Sequence, residues 1–312
     1  MHLFGKNYQF KSDGDKTIFL IDGKDGSEYK GLSFYKYYAL NENSVDALTN
    51  LYAYATHPCQ LNDPLDCADE LIDFDDLDCA RILSGEMYSD IKASYNKERD
   101  ILEFEKAAYR TYLYLKMGIF CLTKSWDNIS MWSAYTNHTG FCLEFDVFSF
   151  PFNCWGPFPI NYQRELSSFS LKEATLPIAT LVQTNVKLNC WEHEQEWRIL
   201  IQGPEEFYME PFGERATLFK NAFPDYHNRK FKYPLRSLKS VCLGNNFFNG
   251  VHCVITDYEF EYVAYNKLQN KVLSFLACTK VPVFQLVCNG LHVEKLPIEI
   301  TQIRKNAYII NN

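Results

Sequence analysis

No run of this sequence approaches the roughly 18–20 consecutive apolar residues that a membrane-spanning helix needs. Also missing are the Gly-x-x-x-x-Gly-Lys phosphate loop, the Gly-x-Gly-x-x-Gly dinucleotide fingerprint and the Gly-x-Ser-x-Gly nucleophile elbow. Their absence speaks against a P-loop ATPase, a Rossmann dehydrogenase and a serine hydrolase. None of the 11 cysteines forms a Cys-x-x-Cys pair, and His57, Cys59 and Cys67 lack zinc-finger spacing, so no metal is expected. Positive charge is scarce as well. Thirty-one Lys and Arg against 39 Asp and Glu leave a net charge of -8, which argues against a general nucleic-acid-binding surface.

The opening MHLFGKNYQFKSDGDK has neither the basic start nor the apolar core of a signal peptide, so a soluble, cytoplasmic protein that avoids the membrane is expected. In that compartment the cysteines should be reduced. Most lie in apolar runs such as IFCL, GFCLEF and SVCLG, where a thiol behaves as a small hydrophobe. Repeats, low-complexity tracts and Gly/Ser/Pro linkers are absent, which favours one domain over the whole of 1–312.

What is present is aromatic. Phe (24) and Tyr (21) help to make 16% of the chain aromatic, a composition suited to pleated surfaces. An N-terminal hairpin extension is expected over 1–30, where Asp-Gly turns separate extended runs. Asn43 or Ser44 should cap a short helix after the strand GLSFYKYYAL. Residues 86–117 read as a helix with Ile101, Phe104, Ala108, Tyr112 and Leu115 on one face. SWDNISMWSAYTNHTG reads as a loop with one helical turn, and Pro177 should interrupt a helix across 170–189. A helix/strand segment closes the chain over 258–312. Mixed elements without strict βαβ alternation predict an α+β fold, a mixed and largely antiparallel sheet flanked by helices.

The most suggestive stretch is LNCWEHEQEWRILIQ, residues 188–202. If extended, it places Glu192, Glu194 and Glu196 on one face. Such a row is either a solvated edge that discourages aggregation or the acidic part of a site, and Arg198 stands ready to pair with one carboxylate. Asn62-Asp63-Pro64 reads as a turn held by an Asx side chain, or as a place where Asp63 or Asp66 lines a cleft. Trp126, Trp132 and Tyr135 are either core or a stacking wall for a base. Glu144, Asp146, Glu194 and Glu196 could instead serve a metal-dependent nuclease, though the Glu-x-Lys strand expected there is missing.

SFYKYYALNENSV, QLNDPLDC, FCLTKSWDNISMWSAYTNHTGFCLEFD and WEHEQEWRI occur in the order and spacing of a known family. From about Phe34 to Gly244 the chain resembles the DUF2971 family of bacterial proteins and, more remotely, the ADP-ribosyltransferase class. That resemblance implies an ADP-ribosyltransferase-like fold, NAD as cofactor, and a bacterial toxin or anti-phage defence setting. It implies a nucleotide-type small molecule as ligand, a protein or nucleic-acid acceptor, and a homo-oligomer or a defence-system partner.

Residue by residue, the resemblance implies that Lys36 and Tyr38 contact phosphate or ribose, with Tyr38 standing where the family commonly has arginine. Thr123 and Ser125 become the hydroxyl carriers, Asp63 a cleft residue, and Trp126, Trp132 and Tyr135 the wall around the base. Glu196 and Glu194 become the catalytic carboxylates. One would stabilise an oxocarbenium-like centre at the nicotinamide–ribose bond and the other would accept a proton from the nucleophile. Arg198 completes the cofactor set. A catalytically degenerate module that binds a ligand or protein is the alternative, because Tyr38 offers no bidentate grip on phosphate.

Overall fold

The computed structural model describes residues 1–13, 16–73, 117–170, 176–202, 229–255, 260–290 and 292–311. The helix expected over 86–117 lies almost entirely outside them. The fold is α+β, with a large, mixed, mostly antiparallel sheet and four α-helices among the described residues. Contacts divide the chain into two compact units, each assembled from separate stretches.

The first unit comprises Met1–Tyr29, Ala55–Phe120 and Phe152–Lys230. Its N-terminal strands Lys6–Asp13 and Lys16–Ile21 pair antiparallel, as the turn signals predict. The strand Glu196–Gln202 pairs antiparallel with Cys154–Pro159. Asn161–Gln163 runs parallel to Val186–Leu188, and this short pair brings Lys187 towards the start of the Glu196 strand. The helix Leu176–Gln183 carries Pro177 in its first turn. Residues 171–175 of the helix expected before Pro177 lie outside the described residues.

Two glycines fix one end of the Glu196 strand's surroundings. A Cβ on Gly26 would lie 1.7 Å from the Gly156 carbonyl oxygen, and Gly156 itself sits at φ +101°. This approach accompanies an edge-on contact of Tyr29 with Trp197, whose ring centroids are 4.7 Å apart.

The second unit comprises Lys30–Tyr54, Cys121–Pro151 and Phe231–Asn312. Its sheet runs, strand by strand, His252–Ile255, Phe260–Val263, Ala307–Asn311, His292–Arg304, Val283–Asn289, Leu238–Leu243, Phe141–Phe145 and Phe34–Tyr38. Leu238–Leu243 and Val283–Asn289 are the parallel neighbours. A parallel pair needs a long connection, and the 13-residue helix Lys267–Thr279 lies within it. Register aligns Tyr37, Cys142, Cys242 and Phe284 across four strands, and Tyr35, Glu144 and Ser240 one pleat away on the same face.

Two helix readings change. The helix Glu42–Thr49 is capped by Asn41, whose side chain accepts from the Ser44 N–H, rather than by Asn43 or Ser44. The Trp-rich stretch expected as a loop with one helical turn forms the eight-residue helix Ile129–Thr136. Asn128 caps it by accepting from the Met131 N–H, and Asn137 ends it in the left-handed conformation. Both caps are asparagines, the residue whose short amide competes best with backbone at helix ends.

Candidate functional site

The alternating glutamates are not in one extended segment. Asn189–Glu194 forms a 3-10 turn, Gln195 adopts the left-handed conformation, and the strand begins only at Glu196. Glu192 is therefore exposed while Glu194 and Glu196 are 4% and 6% exposed, so neither a shared strand face nor a solvated edge describes them. The turn folds the two buried carboxylates onto one cation. Lys187 Nζ lies 2.7 Å from Glu194 Oε2 and 3.0 Å from Glu196 Oε2, with its charge 4.6 Å from the centroid of the Trp191 ring.

Arg198 completes the cluster. Its Nε donates to Glu196 Oε1 at 2.8 Å, and Nη2 donates to Glu196 Oε2 at 3.2 Å. Nη1 donates to Asp66 Oδ1 at 2.8 Å and to the Thr184 carbonyl at 2.9 Å, and Nη2 also donates to Asp66 Oδ2. A guanidinium carries five N–H donors, so these five bonds account for all of them. The Glu196 N–H donates to the Tyr162 hydroxyl at 2.8 Å. Burial alone would lower the pKa of Lys187, but the charges of Glu196 and Glu194 outweigh it and raise the value above the ordinary lysine range. The ammonium keeps its proton.

Asp63 belongs to the same unit and is 5% exposed. Its Oδ1 accepts from the Leu65 N–H at 3.0 Å, an Asx turn, and its carbonyl accepts from the Asp66 N–H at 3.1 Å. Its Oδ2 has no hydrogen-bond partner among the described residues.

The other expected site residues are in the second unit. Strand alternation sends Tyr35 and Tyr37 to one face of the sheet, and Lys36 and Tyr38 to the other. Trp126, Trp132 and Tyr135 pack with Tyr35 and Tyr37. The sheet therefore separates Lys36 and Tyr38 from the tryptophans. Lys36 Nζ donates to the Cys121 carbonyl at 2.8 Å, and the Tyr38 ring stacks on Phe141 with centroids 5.6 Å apart. Trp132 is fully buried, meets Tyr37 edge-on at 5.1 Å and donates Nε1 to the Trp126 carbonyl at 2.8 Å. It has no open face on which a base could stack, so it is core. Thr123 is buried and its hydroxyl accepts from the Ser125 N–H, while Ser125 Oγ donates to Asp127 at 2.5 Å.

On the tryptophan face Glu144 receives hydrogen bonds from Ser33 and Ser240, both at 2.6 Å, with Lys239 Nζ 3.4 Å away. Burial pushes its pKa up, but these hydroxyls and the Lys239 and Lys295 charges prevail and hold it below the usual glutamate range. Two cations escaped the sequence reading. Lys187 lies in an apolar Val-Lys-Leu strand seven and nine positions before its partners, and a lone lysine in such a run is the signal that could have found it. Lys295 offers no local signal, because its neighbours come from three other parts of the chain.

No family model matches the chain, and neither a curated protein nor a solved structure matches it.

Proposed function

We propose that the chain is a catalytically degenerate ligand-binding module that holds a nucleotide-type small molecule of the NAD class without breaking it. The DUF2971-like and ADP-ribosyltransferase-like resemblance supplies the ligand class and the bacterial defence setting. One observation carries the degenerate part of the reading. Both oxygens of Glu196 and all five donors of Arg198 are engaged inside the first unit, at 6% and 1% exposure.

A carboxylate that stabilises an oxocarbenium centre must present an oxygen to the sugar in the transition state. Freeing one here would break a charge-assisted bond in a buried network, where such bonds are strongest. Tyr38 points the same way. It replaces the family's arginine and is packed on Phe141, and Lys36 beside it is spent on a backbone carbonyl.

Calorimetric titration with NAD and with ADP-ribose tests the ligand class. Saturable binding of either is the expected outcome. Absence of binding at millimolar ligand would remove the nucleotide reading altogether.

A further inference from the structure

Three aromatic rings in the second unit surround one ammonium. Lys295 Nζ lies 4.8 Å from the Phe284 centroid, 4.9 Å from Trp126 and 5.9 Å from Tyr35. All four side chains are half-buried, so the group is neither sealed in the core nor fully hydrated. Ring faces attract the charge but accept none of its hydrogen bonds in the ordinary sense. Among the described residues Lys295 makes no hydrogen bond and no ion pair. Its three N–H donors thus sit in a partly dry, ring-lined place and find no acceptor among the described residues.

The wall is held in place from beneath. Tyr37 donates its hydroxyl to the Ser125 carbonyl at 2.9 Å and Trp132 donates to the Trp126 carbonyl, which pins the turn that carries the Trp126 ring. Phe284 and Tyr35 stand on sheet strands, and Lys295 stands on the strand that pairs with Phe284's own. Glu144 is the carboxylate whose charge acts on this lysine's surroundings, yet its oxygens are occupied by Ser33 and Ser240 and it is drawn to Lys239. Asp127 is exposed and bound by Ser125.

We propose that Tyr35, Trp126, Phe284 and Lys295 form a binding site for a planar aromatic ring that carries an anionic group, such as the adenylate half of a dinucleotide. The proposal rests on the nucleotide-binding reading above and gives it a location. A charge-assisted hydrogen bond to phosphate is stronger than a partly hydrated cation–π contact. An arriving phosphate therefore draws the ammonium off the rings, and the faces it vacates take the base. Lys295 and the rings exchange partners, so neither is left bare in the free or the bound state.

The test is a tryptophan-fluorescence titration of the full chain with AMP, ADP-ribose, adenosine and inorganic phosphate, with wild type beside Lys295→Met, Lys295→Gln, Trp126→Ala and Trp126→Phe. Wild type should bind AMP and ADP-ribose and quench. Either Lys295 variant should weaken AMP by roughly tenfold or more and adenosine far less, because only AMP carries the charge. Trp126→Ala should weaken AMP and adenosine alike, and Trp126→Phe should retain binding because a ring remains. Unchanged AMP affinity in folded Lys295 and Trp126→Ala variants would overturn this location while leaving nucleotide binding intact. Failure of wild type to bind any of the nucleotides would remove both. Binding of inorganic phosphate as tight as AMP would overturn the aromatic half of the site.

Discussion

Arg198 grips Asp66 across 132 positions of sequence in a two-pronged ion pair, Nη1 to Oδ1 at 2.8 Å and Nη2 to Oδ2. Both side chains are 1% exposed. Removing one partner of such a pair strands a charge away from water. Arg198→Ala should therefore cost about 3–5 kcal/mol in denaturant unfolding. Arg198→Lys should recover only part of this, because an ammonium cannot reproduce the fork. A loss below about 1 kcal/mol for Arg198→Ala would mean the cluster is hydrated and open.

Lys187 should behave as the cation that makes two neighbouring carboxylates tolerable. Lys187→Met leaves Glu194 and Glu196 facing each other in a buried place, and the loss should be largest at neutral pH. The gap to wild type should narrow at the alkaline end. The folded Lys187 pKa is raised, so its stabilisation is complete below the unfolded lysine value and is lost as pH rises through the folded one. Wild-type minus Lys187→Met stability, followed from about pH 7 to 12, checks this.

The second unit's sheet was legible as a strand-rich α+β pattern, because aromatic and β-branched residues alternate along its strands. The site was less so. Strand alternation puts Lys36 with Tyr38 and opposite Tyr35, and so divides the expected pocket between two faces of the sheet. The Glu192–Glu196 face failed because periodicity presumes an extended backbone. Gln195 in the left-handed conformation breaks it, and glutamine carries no turn signal comparable to Asn or Gly. The Ile129–Thr136 helix was read as a single turn within a loop because its caps, Asn128 and Asn137, are also common loop residues. Arg198 holding a carboxylate could be expected from Glu-x-Arg spacing on one strand face. Its second partner, Asp66, could not.

His57 should make the fold acid-sensitive. Burial first, and the Arg229 charge second, lower its pKa to about 3. A depressed folded value means the unfolded chain takes up this proton first. The contribution to stability is thus complete above the ordinary histidine range near ~6.5 and is lost as pH falls from there towards the folded value. The slope due to this residue should approach about 1.4 kcal/mol per pH unit in that window. The stability of His57→Gln should fall less steeply with acid than wild type, and parallel pH profiles would contradict the assignment.

Trp132 should act as core rather than as part of a binding wall. Trp132→Ala empties a fully buried position and should cost about 3–5 kcal/mol. It should also slacken Trp126, whose carbonyl it holds. Thermal unfolding and near-ultraviolet circular dichroism read the two effects separately.

The most direct test of the central claim is release of nicotinamide from NAD by wild type and by Glu196→Gln, under conditions where calorimetry shows NAD bound. Both proteins should release nicotinamide only at the rate of the protein-free blank, since Glu196 is committed to Arg198 and Lys187. Release by wild type well above the blank, abolished in a folded Glu196→Gln, would contradict it and make Glu196 the catalytic carboxylate.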